Sequence, residues 1–96
     1  MTNTTQKTVF GHIPTTTRPH ASRDGVQHLF EFWNGFGASV IRGSGTYGAT
    51  QGLWELAVFG QDGKITYSTP ITSNVVGFLS ETEVRRVLNR IQALEA

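Results

Sequence analysis

The sequence predicts an α+β fold: an antiparallel meander of about four strands in two hairpins, with one C-terminal helix packed on one face. Three observations carry that expectation. Asn34-Gly35 and Asp62-Gly63 each stand between two strand-like runs, and Asn-Gly and Asp-Gly are the strongest short-range hairpin signals. An apolar stripe with helical spacing begins only after residue 80, behind a capping box. No strand-like run is followed by a helix and then a second strand, so a parallel βαβ unit has no place in the chain.

The chain has 96 residues, which suits one domain. It divides into a Thr-rich N-terminal arm, residues 1–25, and a single α+β domain, residues 26–96. The arm carries Gly11, Pro14, Pro19 and Gly25. Only residues 8–13 (TVFGHI) are apolar enough for a short edge strand. The rest reads as an irregular, solvated arm, or one that orders on a partner or a neighbouring subunit.

Residues 26–33 (VQHLFEFW) and 36–42 (FGASVIR) form the first hairpin. A two-residue turn at Asn34-Gly35 pairs Trp33 with Phe36, Glu31 with Ala38 and Leu29 with Val40. Phe30 then lies across from Ser39, and Phe32 from Gly37. In that register both faces are substantially apolar, and His28 packs beside Ile41. One face covers the core. The other needs the arm, a second subunit or a partner over it. Residues 43–52 (GSGTYGATQG) form a glycine-rich loop.

Residues 53–67 (LWELAVFGQDGKITY) form the second hairpin. Alternation puts Trp54, Leu56 and Val58 on one face and Leu53, Glu55, Ala57 and Phe59 on the other. A type I′ turn at Asp62-Gly63 pairs Gln61 with Lys64, Phe59 with Thr66 and Val58 with Tyr67, which adds Ile65 and Tyr67 to the Trp54 face. In residues 68–79 a strand end is broken by Pro70, and Ile71, Val75, Val76, Phe78 and Leu79 tuck under the helix start.

Ser80-Glu81-Thr82-Glu83 is a capping box, with acids where the helix dipole favours them. The helix runs from Glu81 to about Leu94. Val84, Val87, Leu88, Ile91 and Leu94 form its apolar stripe, opposite Arg85, Arg86, Asn89, Arg90 and Gln92.

Composition excludes several chemistries. Lys and Arg number 8 against 7 Asp and Glu, so the basic excess expected of a nucleic-acid binder is missing. With Cys at 0, disulfides, thiolate catalysis and Cys-ligated zinc are out. No apolar run reaches about 18 residues, and residues 1–12 lack the apolar core of a signal peptide, so no membrane span or secretion is expected.

Three motifs invite a catalytic or ligand-binding reading, and none supports one. Gly43-Ser44-Gly45-Thr46-Tyr47-Gly48 fits G-x-G-x-x-G, but a dinucleotide fingerprint needs a helix opening at the glycines, and here a strand follows. His12, His20 and His28 lack the spacing that aims ligands at one metal. Glu31 and Glu55 sit singly on strands and read as ion-pair partners rather than an acid–base pair. No serine–histidine–acid arrangement or nucleophile elbow is legible. Cofactor, metal and catalytic residues are therefore expected to be absent. The candidate contact residues are the aromatics Phe30, Phe32, Trp33, Phe36 and Tyr47 and the helix arginines Arg85, Arg86 and Arg90.

GLWELAVF, then YSTPIT, then VVGFLSETEVRRVLNRIQAL resembles a family of small uncharacterised proteins encoded by phages and prophages of actinobacteria. The similarity covers residues 26–94 and omits the arm. It implies a size class and a source, and no catalytic or binding residue is carried over from it. With the residue pattern it leads to an expected function: a small, non-enzymatic accessory protein in the cytoplasm of an infected bacterial host. Such a protein acts by protein–protein binding, by self-association or by inhibiting a host or defence protein. The alternative is a nucleic-acid contact through the helix arginines, with the exposed aromatics beside them.

Overall fold

A computed structural model of the chain describes residues 8–19, 25–43, 51–66 and 76–95. The fold is α+β, as the sequence predicts. Five strands, β1 (Thr16–Pro19), β2 (Val26–Glu31), β3 (Gly37–Arg42), β4 (Trp54–Phe59) and β5 (Val76–Leu79), form one antiparallel meander in chain order. Helix α1 (Glu81–Gln92) packs on one face. Two of the strands differ from expectation. The arm supplies β1, and the place of a second strand after Asp62-Gly63 is taken by β5, which pairs directly with β4.

Both hairpins close one residue away from the expected register, for the same reason. Phe32 N–H donates to Phe36 O at 2.8 Å and Gly35 N–H to Phe32 O at 3.0 Å, so Trp33-Asn34-Gly35 is a three-residue loop. Gly60 N–H donates to Lys64 O at 2.8 Å and Gly63 N–H to Gly60 O at 2.9 Å, which makes Gln61-Asp62-Gly63 its twin. In each loop only the glycine is left-handed (Gly35 φ 89°, Gly63 φ 80°), the pattern of a type I turn followed by a bulge glycine. A two-residue type I′ turn would also need positive φ at Asn34 or Asp62, and neither has it.

The shift sorts the faces. Phe30 pairs with Ala38 and His28 with Val40, whereas Leu29 pairs with Ser39 and Glu31 with Gly37. His28 therefore faces away from Ile41, which pairs with Gln27. Because paired residues share a face, Phe30, Ala38 and Val40 join Trp54, Leu56 and Val58 on the helix side. Ile65 bridges Phe59 and so leaves the Trp54 face; it is exposed on the opposite one. Thr66 takes its place, its N–H donating to Val58 O at 2.8 Å. Tyr67 lies outside the described residues, as do Ile71 and Val75. Of the residues expected beneath the helix start, Leu79 is buried, but Phe78 points outward in a left-handed conformation (φ 58°) where β5 breaks register against β4.

Helix α1 matches the sequence reading. Ser80 Oγ accepts from Glu83 N–H at 3.2 Å, and the Glu83 carboxylate accepts from Ser80 N–H at 2.8 Å. These bonds, and Arg86 beyond them, hold the Glu83 carboxyl below its ordinary pKa. Val84, Leu88 and Ile91 are fully buried against the sheet, with Val87 and Leu94 at the margin.

The far end of the helix is closed from outside. Asn34, only 3% exposed, donates its side-chain amide to Ile91 O at 2.9 Å and Leu94 O at 2.9 Å, with Gln92 O at 3.3 Å. Its Oδ1 accepts from Phe36 N–H, and its own carbonyl accepts from Gln61 Nε2 at 2.9 Å. One residue thus joins both hairpin tips to the helix terminus, whose last carbonyls have no partner within the helix.

Asn34→Asp keeps the shape but replaces the donors with an anion aimed at carbonyl oxygens. We expect Asn34→Ala to lower unfolding stability by about 2 kcal/mol, and Asn34→Asp to lower it more at neutral pH. Equilibrium urea unfolding measures both; equal stability of wild type and Asn34→Asp would refute the closure.

Candidate protein-binding surface

Outside the helix-covered core, the described residues build three surfaces. The first is where residues 8–13 close over the core. Val9 N–H donates to His12 O and His12 N–H to Val9 O, across a two-residue turn in which Phe10 (φ 56°) and Gly11 (φ 80°) are both left-handed. The turn lays Phe10 edge-on to Trp54 (ring centroids 5.0 Å apart, 87°) and to His28 (5.9 Å, 83°). His12 stands edge-on to Phe32 and meets Asn89 Oδ1 on α1 at 2.7 Å. Phe30 and Phe32 stack beneath. The Arg42 guanidinium lies 4.2 Å over the Trp54 ring and donates to Gly52 O. The cluster is sealed rather than open. Trp54 Nε1, buried at its centre, has no hydrogen-bond partner among the described residues.

His28 is the buried histidine of this cluster. It is 8% exposed, and Thr17 Oγ1 lies 2.9 Å from its Nδ1. Burial first, and the Arg42 charge second, hold its pKa below the ordinary 6.5.

The second surface is the helix exterior. Arg85, Arg86 and Arg90 are exposed, as expected, but Glu81 and Glu83 share their helix, so the face is mixed in charge. Arg85 lies along Gly11, where an added Cβ would stand 2.8 Å from Arg85 Cδ.

The third is the face of the sheet turned away from α1. Three cross-strand rows define it: Glu31–Gly37–Phe59–Ile65, Thr16–Leu29–Ser39–Ala57, and Arg18–Gln27–Ile41–Glu55. Arg18 Nε donates to Gln27 Oε1 at 2.8 Å, and Gln27 Nε2 to Ser39 Oγ at 2.9 Å, so a polar ladder crosses three strands. Leu29, Ile41, Ala57 and Phe59 are half-buried, and no described element lies across them. A concavity of about 450 Å³ runs along the face from Arg18 and Gln27 past Leu29 to Glu31, Phe36, Phe59 and Gln61, with Gly37 in its lining. A Cβ at Gly37 would come within 2.4 Å of Phe30 O, so the β2 backbone leaves no room for a side chain there.

The structure separates the residues that the sequence grouped. Phe30 is 1% exposed and is a core residue, not a contact. Phe32 and Phe36 pack at the margin of the same core. Trp33 is 75% exposed at the hairpin tip, its Nε1 donating to Gln92 O at 3.2 Å. Tyr47 and most of the glycine loop lie outside the described residues. Glu31 and Glu55 stand two strands and four residues apart in register, roughly 16 Å between backbones, too far for a shared acid–base role. Among the described residues no three His, Asp or Glu side chains converge on a point, and no helix is long and apolar enough to cross a membrane.

Sequence reasoning missed Leu29 and Ile41 as surface residues because the assumed register left no single face to assign them to. The signal was available in β4, whose Glu55, Ala57 and Phe59 alternate away from the core. No family model, curated protein or solved structure matches the chain.

The His28 environment gives a pH test. A folded-state pKa below the unfolded value means that the unfolded chain takes the proton first. The contribution is present above about pH 6.5 and is lost as pH falls below it. We expect the melting temperature to drop between pH 6.5 and 5.5, before carboxylates titrate, and His28→Gln to flatten that drop. Parallel slopes in the two proteins would refute it.

Proposed function

We propose that this protein is a non-enzymatic binding protein whose contact surface is the helix-free face of its sheet. One observation carries the reading. Among the described residues one helix covers one side of the sheet, while the other presents Leu29, Ile41, Ala57 and Phe59, half-exposed, beside a concavity that Gly37 lines without a side chain. A face of that composition, apolar at the middle and ringed by Arg18, Glu31 and Glu55, has the layout of a protein contact: a desolvated centre inside a polar rim. The resemblance of residues 26–94 to small phage and prophage proteins fits an accessory role in an infected bacterial cell, in which occupying a partner's surface is itself the activity.

The test is retention of partners from host lysate by tagged full-length chain. We expect Leu29→Arg, which places a charge at the centre of the face, to reduce the main retained species at least tenfold, while Arg90→Glu on the helix exterior retains it. Circular dichroism melting confirms that both variants fold. Retention unchanged by Leu29→Arg and lost with Arg90→Glu would move the function to the helix.

A further inference from the structure

We infer that the occupant of the helix-free face is a second copy of this chain, docked face to face about a two-fold axis through the Thr16–Leu29–Ser39–Ala57 row. The inference rests on the reading of that face as a contact surface and adds the identity of the partner.

The argument is the self-complementarity of the three rows. A two-fold contact brings residue i against j and j against i. With the axis along the middle row, that row meets itself, and the two outer rows exchange: Arg18–Gln27–Ile41–Glu55 of one copy lies over Glu31–Gly37–Phe59 of the other. The middle row holds Thr16, Leu29, Ser39 and Ala57, uncharged and mostly small, so it can lie against its own image without repulsion or clash. Arg18 arrives one strand spacing from the partner subunit's Glu31, with opposite sign. Gln27, already polarised by Arg18 on one side and Ser39 on the other, lies over the same carboxylate. Ile41 lies over the partner subunit's Gly37, which lines the concavity of about 450 Å³. A large aliphatic side chain is thus paired with the one position on this face that tolerates no Cβ of its own.

Sheets stack face to face about 10 Å apart with strands within about 30° of one another, so the two twisted faces can approach in this arrangement without rebuilding either chain. A like-charge pairing would have opposed the contact. Rotation about the perpendicular in-plane direction, along the strands, also offers Arg18 an opposite charge, the partner subunit's Glu55, but lays Ile41 on Gln27 rather than on Gly37, so the placement of Ile41 selects the axis.

Sedimentation equilibrium of the full chain tests this. Wild type is expected to show, with rising concentration, a mass twice the 10.5 kDa of the chain. Leu29→Glu sets two carboxylates against each other on the axis and returns the mass to that of one chain, while its melting curve shows that it is folded. Arg18→Glu and Glu31→Arg each weaken the dimer at least tenfold, and the double variant restores it. A wild type that stays at one chain's mass at millimolar concentration overturns the inference. So does a dimer unaffected by Leu29→Glu, or a double variant no tighter than its single parents. Failure of the binding-face reading itself is distinguishable. A monomeric wild type whose lysate partner is still lost with Leu29→Arg overturns only the second-copy occupant, whereas a monomer whose retained partners ignore Leu29→Arg overturns both.

Discussion

The closure of the helix C-terminus by Asn34 is the constraint on which the remaining architecture depends. A helix leaves its last carbonyls without internal partners, and Ile91 in the last turn of α1 is fully buried. Asn34 supplies the donors from the tip of the first hairpin, and Gln61 ties the tip of the second to the same residue. The amide reaches Ile91 O and Leu94 O from within a three-residue loop, in which Gly35 takes the left-handed position. That loop length fixes the pairing of β2 with β3, and the pairing decides which side of the sheet each residue faces. A single polar contact therefore links helix position, strand register and the composition of both faces.

The opposite corner of the core is held by aromatic packing. Phe10 adopts a left-handed backbone, which costs a bulky residue about 1–2 kcal/mol. The return is a ring placed edge-on against both Trp54 and His28. Arg42 closes the far side of Trp54 as a cation over the ring. Burial among these rings, with the Arg42 charge second, lowers the His28 pKa, so its shift follows from the packing of this corner.

The parts of this fold that were legible in the sequence are those encoded by contiguous residues. The capping box from Ser80 to Glu83 and the stripe of Val84, Leu88 and Ile91 specify the helix and its buried side without reference to anything distant. The Trp54, Leu56 and Val58 alternation specifies the core side of β4. Asn-Gly and Asp-Gly announce hairpins, but each dipeptide satisfies a two-residue loop with two left-handed positions and a three-residue loop with one. The choice is made by long-range terms: the Asn34 contacts to a helix nearly sixty residues away, and the gain from putting Phe30 and Val40 on a single side. The same limit hid the arm. Its attachment to the domain rests on β1 pairing and on Phe10 and His12, two residues within a Thr-rich stretch that has no periodicity of its own. The supposed surplus of exposed aromatics followed from the wrong register; once the faces are sorted, the surplus among the described residues shrinks to Trp33 and Phe78.

What the correct register leaves open is a face and not an edge, and that difference governs how this domain can associate. A sheet can grow by adding a strand at a border or by stacking on a side. Both borders here are blunted. β1 is four residues long, carries Arg18 and ends in Pro19, which has no N–H to offer a neighbouring strand. β5 is equally short, and its register against β4 breaks where Phe78 turns left-handed, which bends the outermost backbone away from a regular ladder. Strand addition would have to begin from these interrupted borders. Stacking needs only the side opposite α1, where the residues at the centre are small or aliphatic and the charged ones stand at the margins. With one side closed by a helix and both borders spoiled, the described residues leave one side for the contact we propose.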